Sequence, residues 1–276
     1  MPDIPDVLRL RVLMAFLKGD ETCNVMGISR TLNEPKQTIS RIIISLEKEG
    51  YVDRSNIRHP VLTEKGKKMA DLCGDRIQLS LNYLLHSGVR VQSARSDAYH
   101  WALYNSKDTM EVIEKAEEIR RVKDKLKDQY KFNGALLCKN IKDGEYKIPF
   151  VIYREHICDG NNISMANQGF EHPCVLSVTD GIGTIQLKAV KVSAVSASTG
   201  KAMSGMVRSM KYFDSGNYIG AENSGNILSF PAGIINFVNI GEGIGQMFHG
   251  TLLMKMLSSA DCSHMPEASA IFTIFM

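Results

Sequence analysis

The sequence predicts an α+β chain with three parts: an N-terminal winged helix-turn-helix, a helical dimerisation segment, and a C-terminal antiparallel β sandwich or barrel. Three observations predict it. Residues 1–73 place short amphipathic helices before a charged hairpin and a Thr-started helix; residues 74–131 stay helical and rich in Lys and Glu. From residue 132 onward Gly, Val, Ile, Ser and Thr dominate, in short runs separated by turn dipeptides, and the domain boundaries are expected at these changes of composition.

Leu10, Leu13, Phe16 and Leu17 recur at helical spacing, and Val25, Ile28 and Leu32 do so again after a break at Gly19-Asp20. The next helix, residues 35–48, opens at Pro35, which suits a first helical position. It carries Ile39, Ile42, Ile43 and Leu46 at i, i+3, i+4 and i+7 and stops at Gly50. Two short strands around the polar tip Ser55-Asn56-Ile57-Arg58 form the expected wing. Thr63 then caps a new helix whose Glu64 suits the helix dipole.

Beyond residue 75 Ile77, Leu81, Leu84 and Leu85 share one helical face, and Ala94, Ala98, Trp101 and Ala102 share another. Ser106 is the expected N-cap of a last long helix reaching about residue 129, with Val112, Ala116, Ile119 and Leu126 opposite a charged face. Apolar stripes of this kind need partners, and helix-on-helix dimerisation supplies them. In the remainder, strands are expected at residues 135–137, 149–153, 175–178, 184–193 and 270–275. Turns are expected at Asp159-Gly160, Asn161-Asn162, Asp180-Gly181, Ser215-Gly216-Asn217 and Ser224-Gly225. Residues 173–183 and 231–243 share a faint Pro, strand, Val, Gly-x-Gly pattern that hints at duplication.

A hydrophobic fraction of 44% and a charged fraction of 23% over 276 residues exclude wholesale disorder and permit two domains with real cores. The net charge of +3 permits a polyanion partner only through local contacts. The sequence contains no apolar run long enough to span a bilayer and no basic-then-apolar leader at its start, so a cytoplasmic location without a membrane partner is expected. The six cysteines, Cys23, Cys73, Cys138, Cys158, Cys174 and Cys262, form no C-x-x-C pair, and free, mostly buried thiols are expected.

Burying Ile39, Ile42, Ile43 and Leu46 turns Gln37, Arg41, Ile44 and Lys48 to the opposite face of the helix, with Thr38, Ser40 and Ser45 at its flanks. That is the equipment of a helix in a DNA major groove: Arg forks onto guanine, Gln onto adenine, and Thr or Ser reaches a phosphate or a thymine methyl. Gln37, Thr38 and Arg41 are therefore assigned to base edges and Lys36 and Ser40 to the backbone. Arg54 and Arg58 of the wing are assigned to a minor groove or a phosphate. The expected partner is double-stranded DNA and the expected role that of a transcription regulator.

The residues from Ile39 to Val52, followed by Leu62-Thr63-Glu64-Lys65-Gly66-Lys67-Lys68, resemble two bacterial winged-helix families. These are the multiple-antibiotic-resistance-type regulators and the metal-dependent repressors related to diphtheria toxin repressor and the manganese transport regulator. Leu84-Leu85-His86-Ser87-Gly88-Val89, Asp97-Ala98-Tyr99-His100 and Tyr104-Asn105-Ser106 are similar to the dimerisation region of the second family. The resemblance covers residues 6–115 and implies DNA binding and a homodimer. It also implies metal ligands, but only His100 of the Ser96-Asp97-Ala98-Tyr99-His100 segment matches. Asp6 is offered on the first helix, Arg9 stands where a second carboxylate is wanted, and Ile77 stands near the place of a ligating His. One His and one Asp do not make a divalent-metal site, so no metal and no cofactor is expected.

The C-terminal part carries no motif of comparable strength. His156 with Glu155 and Cys158, His172 with Glu171 and Cys174, and His264 with Cys262 lack ligand spacing. Gly241-x-Gly243-x-Gly245 lacks the strand, helix and Lys of a phosphate loop, and Ser164 and Ser177 lack a nucleophile elbow. Tyr212, Phe213 and Tyr218 are expected in the core rather than around a ligand. Three readings stay open for this part: a module that binds a small-molecule effector or self-associates, an enzyme, and a platform that recruits another protein. The first is preferred, and no catalytic residue is assigned.

Overall fold

Residues 5–18, 23–156, 160, 162–195, 202–260, 263–264 and 267–276 are described in the computed structural model. The protein is α+β, and the chain divides into two units, Met1–Glu117 and Glu118–Met276.

Unit 1 starts with α1 (Pro5–Ala15), a 3-10 turn Phe16–Lys18, α2 (Val25–Leu32) and α3 (Lys36–Lys48). The expected break at Gly19-Asp20 lies outside the described residues. Asn24 caps α2, its side chain accepting from Met26 N at 3.1 Å and Gly27 N at 2.9 Å. Asn33 ends the helix in the left-handed region at φ 55°, where Asn is tolerated. Pro35 sits one position earlier than expected, as the N-cap of α3, and Ile39 N bonds its carbonyl at 3.1 Å. Val12, Leu13, Phe16, Ile28, Ile39, Ile43 and Leu46 close a core beneath these helices.

The wing consists of β1 (Val52–Asp53) and β2 (Val61–Leu62), paired antiparallel through Val52↔Leu62 and Asp53↔Val61. Thr63 ties the wing to the next helix: its Oγ1 accepts from Gly66 N at 3.0 Å and donates to Gly50 O at 2.7 Å. Its N–H bonds Tyr51 O at 3.0 Å. A Cβ at Gly66 would overlap that same Tyr51 carbonyl, so the first turn of the helix approaches the wing more closely than any side chain allows.

That helix, α4 (Glu64–His86), runs without interruption past residue 73 and is followed by α5 (Val91–Tyr104) and α6 (Lys107–Lys125). Ala94, Ala98 and Ala102 of α5 are buried where α5 packs on α4, small residues that let two backbones come close. Ser106 caps α6, accepting from Thr109 N at 3.2 Å. Val112, expected on the apolar stripe of α6, is instead 68% exposed while Ile113 beside it is buried.

Among the described residues unit 2 holds fourteen further β-strands that fall in two antiparallel sheets, together with one short helix. In chain order they are β3 (Lys131–Asn133), α7 (Gly134–Asn140), β4 (Gly144–Ile148), β5 (Phe150–Arg154), β6 (Cys174–Thr179), β7 (Ile182–Lys188) and β8 (Val192–Val195). There follow β9 (Ala202–Asp214), β10 (Asn217–Gly220), β11 (Glu222–Ser224), β12 (Ile227–Pro231), β13 (Asn236–Ile240), β14 (Met247–Ala260), β15 (Ser263–His264) and β16 (Ala268–Phe275), together with the helical end of α6. The smaller sheet has the order β11-β12-β7-β6-β4. The larger is organised by β14, which pairs with β13 and then β9 along one edge and with β16 along the other, and β16 continues to β5.

The two sheets share one core. Phe230 of the smaller sheet meets Tyr212 (ring centroids 6.0 Å) and Phe272 (5.5 Å, edge-on) of the larger. Residues 135–137, expected as a strand, are helical. Asn133 Oδ1 caps α7 by accepting from Leu136 N at 3.0 Å, and the turn buries Leu137 and Cys138 against the core. A three-residue apolar run carries no period, so the cap decided the outcome. The expected hairpin turns at Asp180-Gly181 and Ser215-Gly216 have φ values of 52°, 72°, 48° and 91°, the left-handed pair that a two-residue hairpin requires. Asp159 and Asn161 lie outside the described residues.

Candidate nucleic-acid interface

Between residues 36 and 68 eight Lys or Arg face four Asp or Glu, so the cationic excess of the chain is local to α3, the wing and the start of α4. Ile39, Ile43 and Leu46 are each at most 1% exposed. That burial fixes the rotation of α3 and turns Lys36, Gln37 and Arg41 to solvent, while Thr38 and Ser40 are half-buried at the flanks. Lys36, Gln37 and Arg41 have no side-chain partner among the described residues. Pro35 supplies no side-chain cap, leaving the first-turn N–H groups open beside them.

The helix-turn-helix angle is held from below. Ser29, 9% exposed, donates from Oγ to Glu34 O at 2.6 Å, and Glu34 N bonds Ser29 O at 3.0 Å. At the far end of α3 two carboxylates are each met by an arginine. Glu47 binds Arg54 of the wing at 2.9 Å, and Glu49 binds Arg9 of α1 and accepts from Ser45 Oγ at 3.1 Å. The hydrogen bond from Arg9 holds the Glu49 carboxyl below its ordinary range.

Arg54 and Arg58, assigned together from the sequence, therefore stand in different surroundings. The Arg54 side chain is 16% exposed and engaged with Glu47. Arg58 is exposed at the wing tip without a side-chain partner among the described residues, its loop shaped by Asn56 Oδ1 accepting from Arg58 N at 3.1 Å. Asp53 orders the other side of the tip by accepting from Ser55 N at 2.8 Å and Ser55 Oγ at 2.6 Å.

Sequence reasoning missed the part played by Lys65, whose Nζ donates to Glu49 O at 2.8 Å and lies 4.5 Å from the Tyr51 ring centroid. A Lys at the start of a helix carries no signal of a carbonyl sixteen residues away.

His100, the one match to the metal-binding pattern, is half-buried on α5 with its ring centroid 6.3 Å from that of Tyr104. Tyr104 OH in turn donates to Asp6 at 3.0 Å. Arg9 faces Glu49, and no group of three or more His, Cys, Asp or Glu converges among the described residues.

In unit 2 the members of the one fully described cluster, Glu171, His172 and Cys174, each have a different partner. The His172 ring stacks on Phe150 with centroids 4.0 Å apart, and its Nε2 lies 2.9 Å from Asn167 O. Glu171 pairs with Lys188 at 2.6 Å. Burial pushes the Cys174 thiol up to about 12 and the Cys138 thiol up to about 11, leaving both protonated and unreactive near neutrality. His156 is exposed, while Cys158, Cys262 and the His264 side chain lie outside the described residues. Ser164 caps a 3-10 turn, Met165–Gly169, and Ser177 lies within β6. The Gly241-x-Gly243-x-Gly245 run is a 3-10 connection from β13 to β14. Tyr212 is buried as expected, whereas Phe213 and Tyr218 are half-buried on the other face of their sheet.

No protein-family model matches the chain, and no curated protein does. Among solved structures, the manganese regulator SloR is 11% identical at a TM-score of 0.35 over 81% of this chain and 98% of that one. IdeR of T. acidophilum is 13% identical at a TM-score of 0.32 over 74% and 92%. The fifth NEAT domain of IsdX2, a B. anthracis hemophore solved in complex with heme, is 18% identical at 0.30 over 48% and 96%. Likenesses at these scores say nothing about what this chain binds.

Proposed function

We propose that the chain is a DNA-binding transcription regulator that acts as a homodimer, with unit 2 binding an effector or mediating assembly. The observation that carries the reading is the pair of unpartnered cationic elements on a winged-helix scaffold. Lys36, Gln37 and Arg41 stand exposed on a helix whose other face is locked into the core, and Arg58 stands exposed on the adjoining wing. Intramolecular ion pairs have been spent on the glutamates at the far end of α3, which removes repulsion from a polyanion without occupying the N-terminal half of the helix. In such a scaffold that half reads base edges in the major groove.

Dimerisation is supported by apolar side chains left in solvent on the helices after the wing. Leu72 is 55%, Leu85 36%, Val91 52% and Val112 68% exposed. No helix among the described residues is long and apolar enough to cross a membrane.

The deciding experiment is recovery of the DNA bound by the full chain from a library of genomic fragments, followed by anisotropy titration of the enriched sequence against a scrambled one. A specific complex supports the reading. Equal affinity for both, or none at low salt, overturns it.

A further inference from the structure

In an antiparallel sheet with one face on the core, the other face ordinarily carries polar residues. The larger sheet of unit 2 departs from this, and does so across several strands in register along one row. Ile163 bridges to Tyr153, Tyr153 is in register with Ile271, and Ile271 with Leu253. One step beyond the Met254↔Tyr212 pair brings Leu253 alongside Phe213, which is in register with Tyr218. These six side chains lie on the face opposite the core, because their neighbours Ile152, Phe272, Met254 and Tyr212 point inward and are buried. Leu253 is 39% and Ile163 47% exposed. The row crosses five strand spacings, about 24 Å in all; it is bordered on one side by Thr251, the buried Thr273 and Val151, and on the other by Ser269.

The charge beside this row is one-sided. Lys255 and Lys211 are directly opposed in the β14/β9 register, an arrangement that repels. Lys211 is compensated by Glu267 at 2.9 Å. Lys255 has no carboxylate among the described residues; its Nζ lies 4.2 Å from the centroid of the Tyr218 ring, at one end of the apolar row. An apolar track closed by one uncompensated ammonium matches a molecule with a long apolar body and one anionic end.

We infer that the outer face of this sheet binds a free anionic amphiphile of the long-chain monocarboxylate class, with its chain along the row from Ile163 to Phe213 and its carboxylate on Lys255. This names the chemistry of the effector proposed above and rests on unit 2 having one. A second copy of the chain is the weaker occupant, because covering Lys255 with another neutral face would desolvate an ammonium without pairing it.

The test is calorimetric titration of the full chain, without DNA, using oleate below its micelle concentration, oleyl alcohol, and vesicles of phosphatidylglycerol. Saturable binding of one oleate per chain is expected. Binding should be roughly ten-fold or more weaker for oleyl alcohol and for Lys255→Met, and lost in Leu253→Asp with the unfolding temperature retained. Equal affinity for oleate and the alcohol, or oleate binding indifferent to both substitutions, overturns the site. So does binding to vesicles alone. Absence of oleate binding, with self-association in sedimentation that Leu253→Asp abolishes, assigns the face to a second copy instead. Because no DNA is present, failure here leaves the DNA-binding reading to be judged by its own experiment.

Discussion

The guanidinium of Arg54 on the wing donates to the carboxylate of Glu47 on α3 at 2.9 Å, joining the two elements that a winged helix places on DNA. The pair aligns the hairpin with the helix and also withdraws one of the wing's two arginines from solvent. It is partly exposed, so its contribution to stability is at most about 1 kcal/mol.

Glu47→Gln tests the withdrawal. Freed from the carboxylate, Arg54 becomes available to a phosphate, and the slope of log affinity against log salt is expected to steepen by about 0.9. The thermal midpoint should barely move. An unchanged slope in anisotropy titrations over a salt series would show that Arg54 already leaves Glu47 when DNA binds.

Arg41→Ala and Arg58→Ala should separate reading from grip. Loss of a bidentate base contact at Arg41 is expected to cost about 1–3 kcal/mol on the preferred site and to relax preference there. Loss of Arg58 should weaken all sequences alike and flatten the salt slope by about one unit. Competition titrations with point-substituted sites distinguish these outcomes, and identical behaviour of the two variants would refute the docking model.

Gly66→Ala should destabilise unit 1 by about 1–3 kcal/mol, because the added methyl meets the Tyr51 carbonyl oxygen and backbone has to move. Thr63→Ala removes the cap on α4 and should cost about 1 kcal/mol. Denaturant unfolding of the full chain, followed by the fluorescence of Trp101, measures both. A neutral Gly66→Ala would mean that α4 and the wing are not in this contact.

Glu118 confers an acid dependence on unit 2. Burial disfavours its ionisation, but bidentate hydrogen bonds from Arg121 and one from Lys142 N at 2.7 Å outweigh that, and its pKa lies below the ordinary 4.5. A carboxyl depressed on folding contributes stability that is complete above the unfolded pKa and is lost as pH falls through the folded one. The difference in unfolding midpoint between wild type and Glu118→Gln should therefore be constant near neutrality and shrink as pH drops below about 4.5. A difference independent of pH would contradict the assignment.

How much was legible follows from which forces are local. The period of Ile39, Ile43 and Leu46 is a property of a dozen consecutive residues, and it gave both the helix and its outward face carrying Gln37 and Arg41. The cap at Thr63 and the left-handed turns at Asp180-Gly181 and Ser215-Gly216 are equally local. The long strands β9 and β14 were not anticipated, because Lys, Ser and Met interrupt their apolar positions. Val112 was assigned to the wrong side of α6 because a helix so rich in charge has a weak apolar stripe.

The sequence by itself determined the winged-helix element, the side of α3 that faces outward, and the α+β class, since each rests on steric and hydrophobic preferences acting within a few residues. Only the tertiary structure decided that Arg54 is taken by Glu47 while Arg58 is left exposed. It alone assembled the row from Ile163 to Tyr218, whose members come from five strands and the segment bridged to β5, over a hundred positions apart in part. Such contacts depend on strand register and sheet order, and those are set by how two whole sheets bury a shared core.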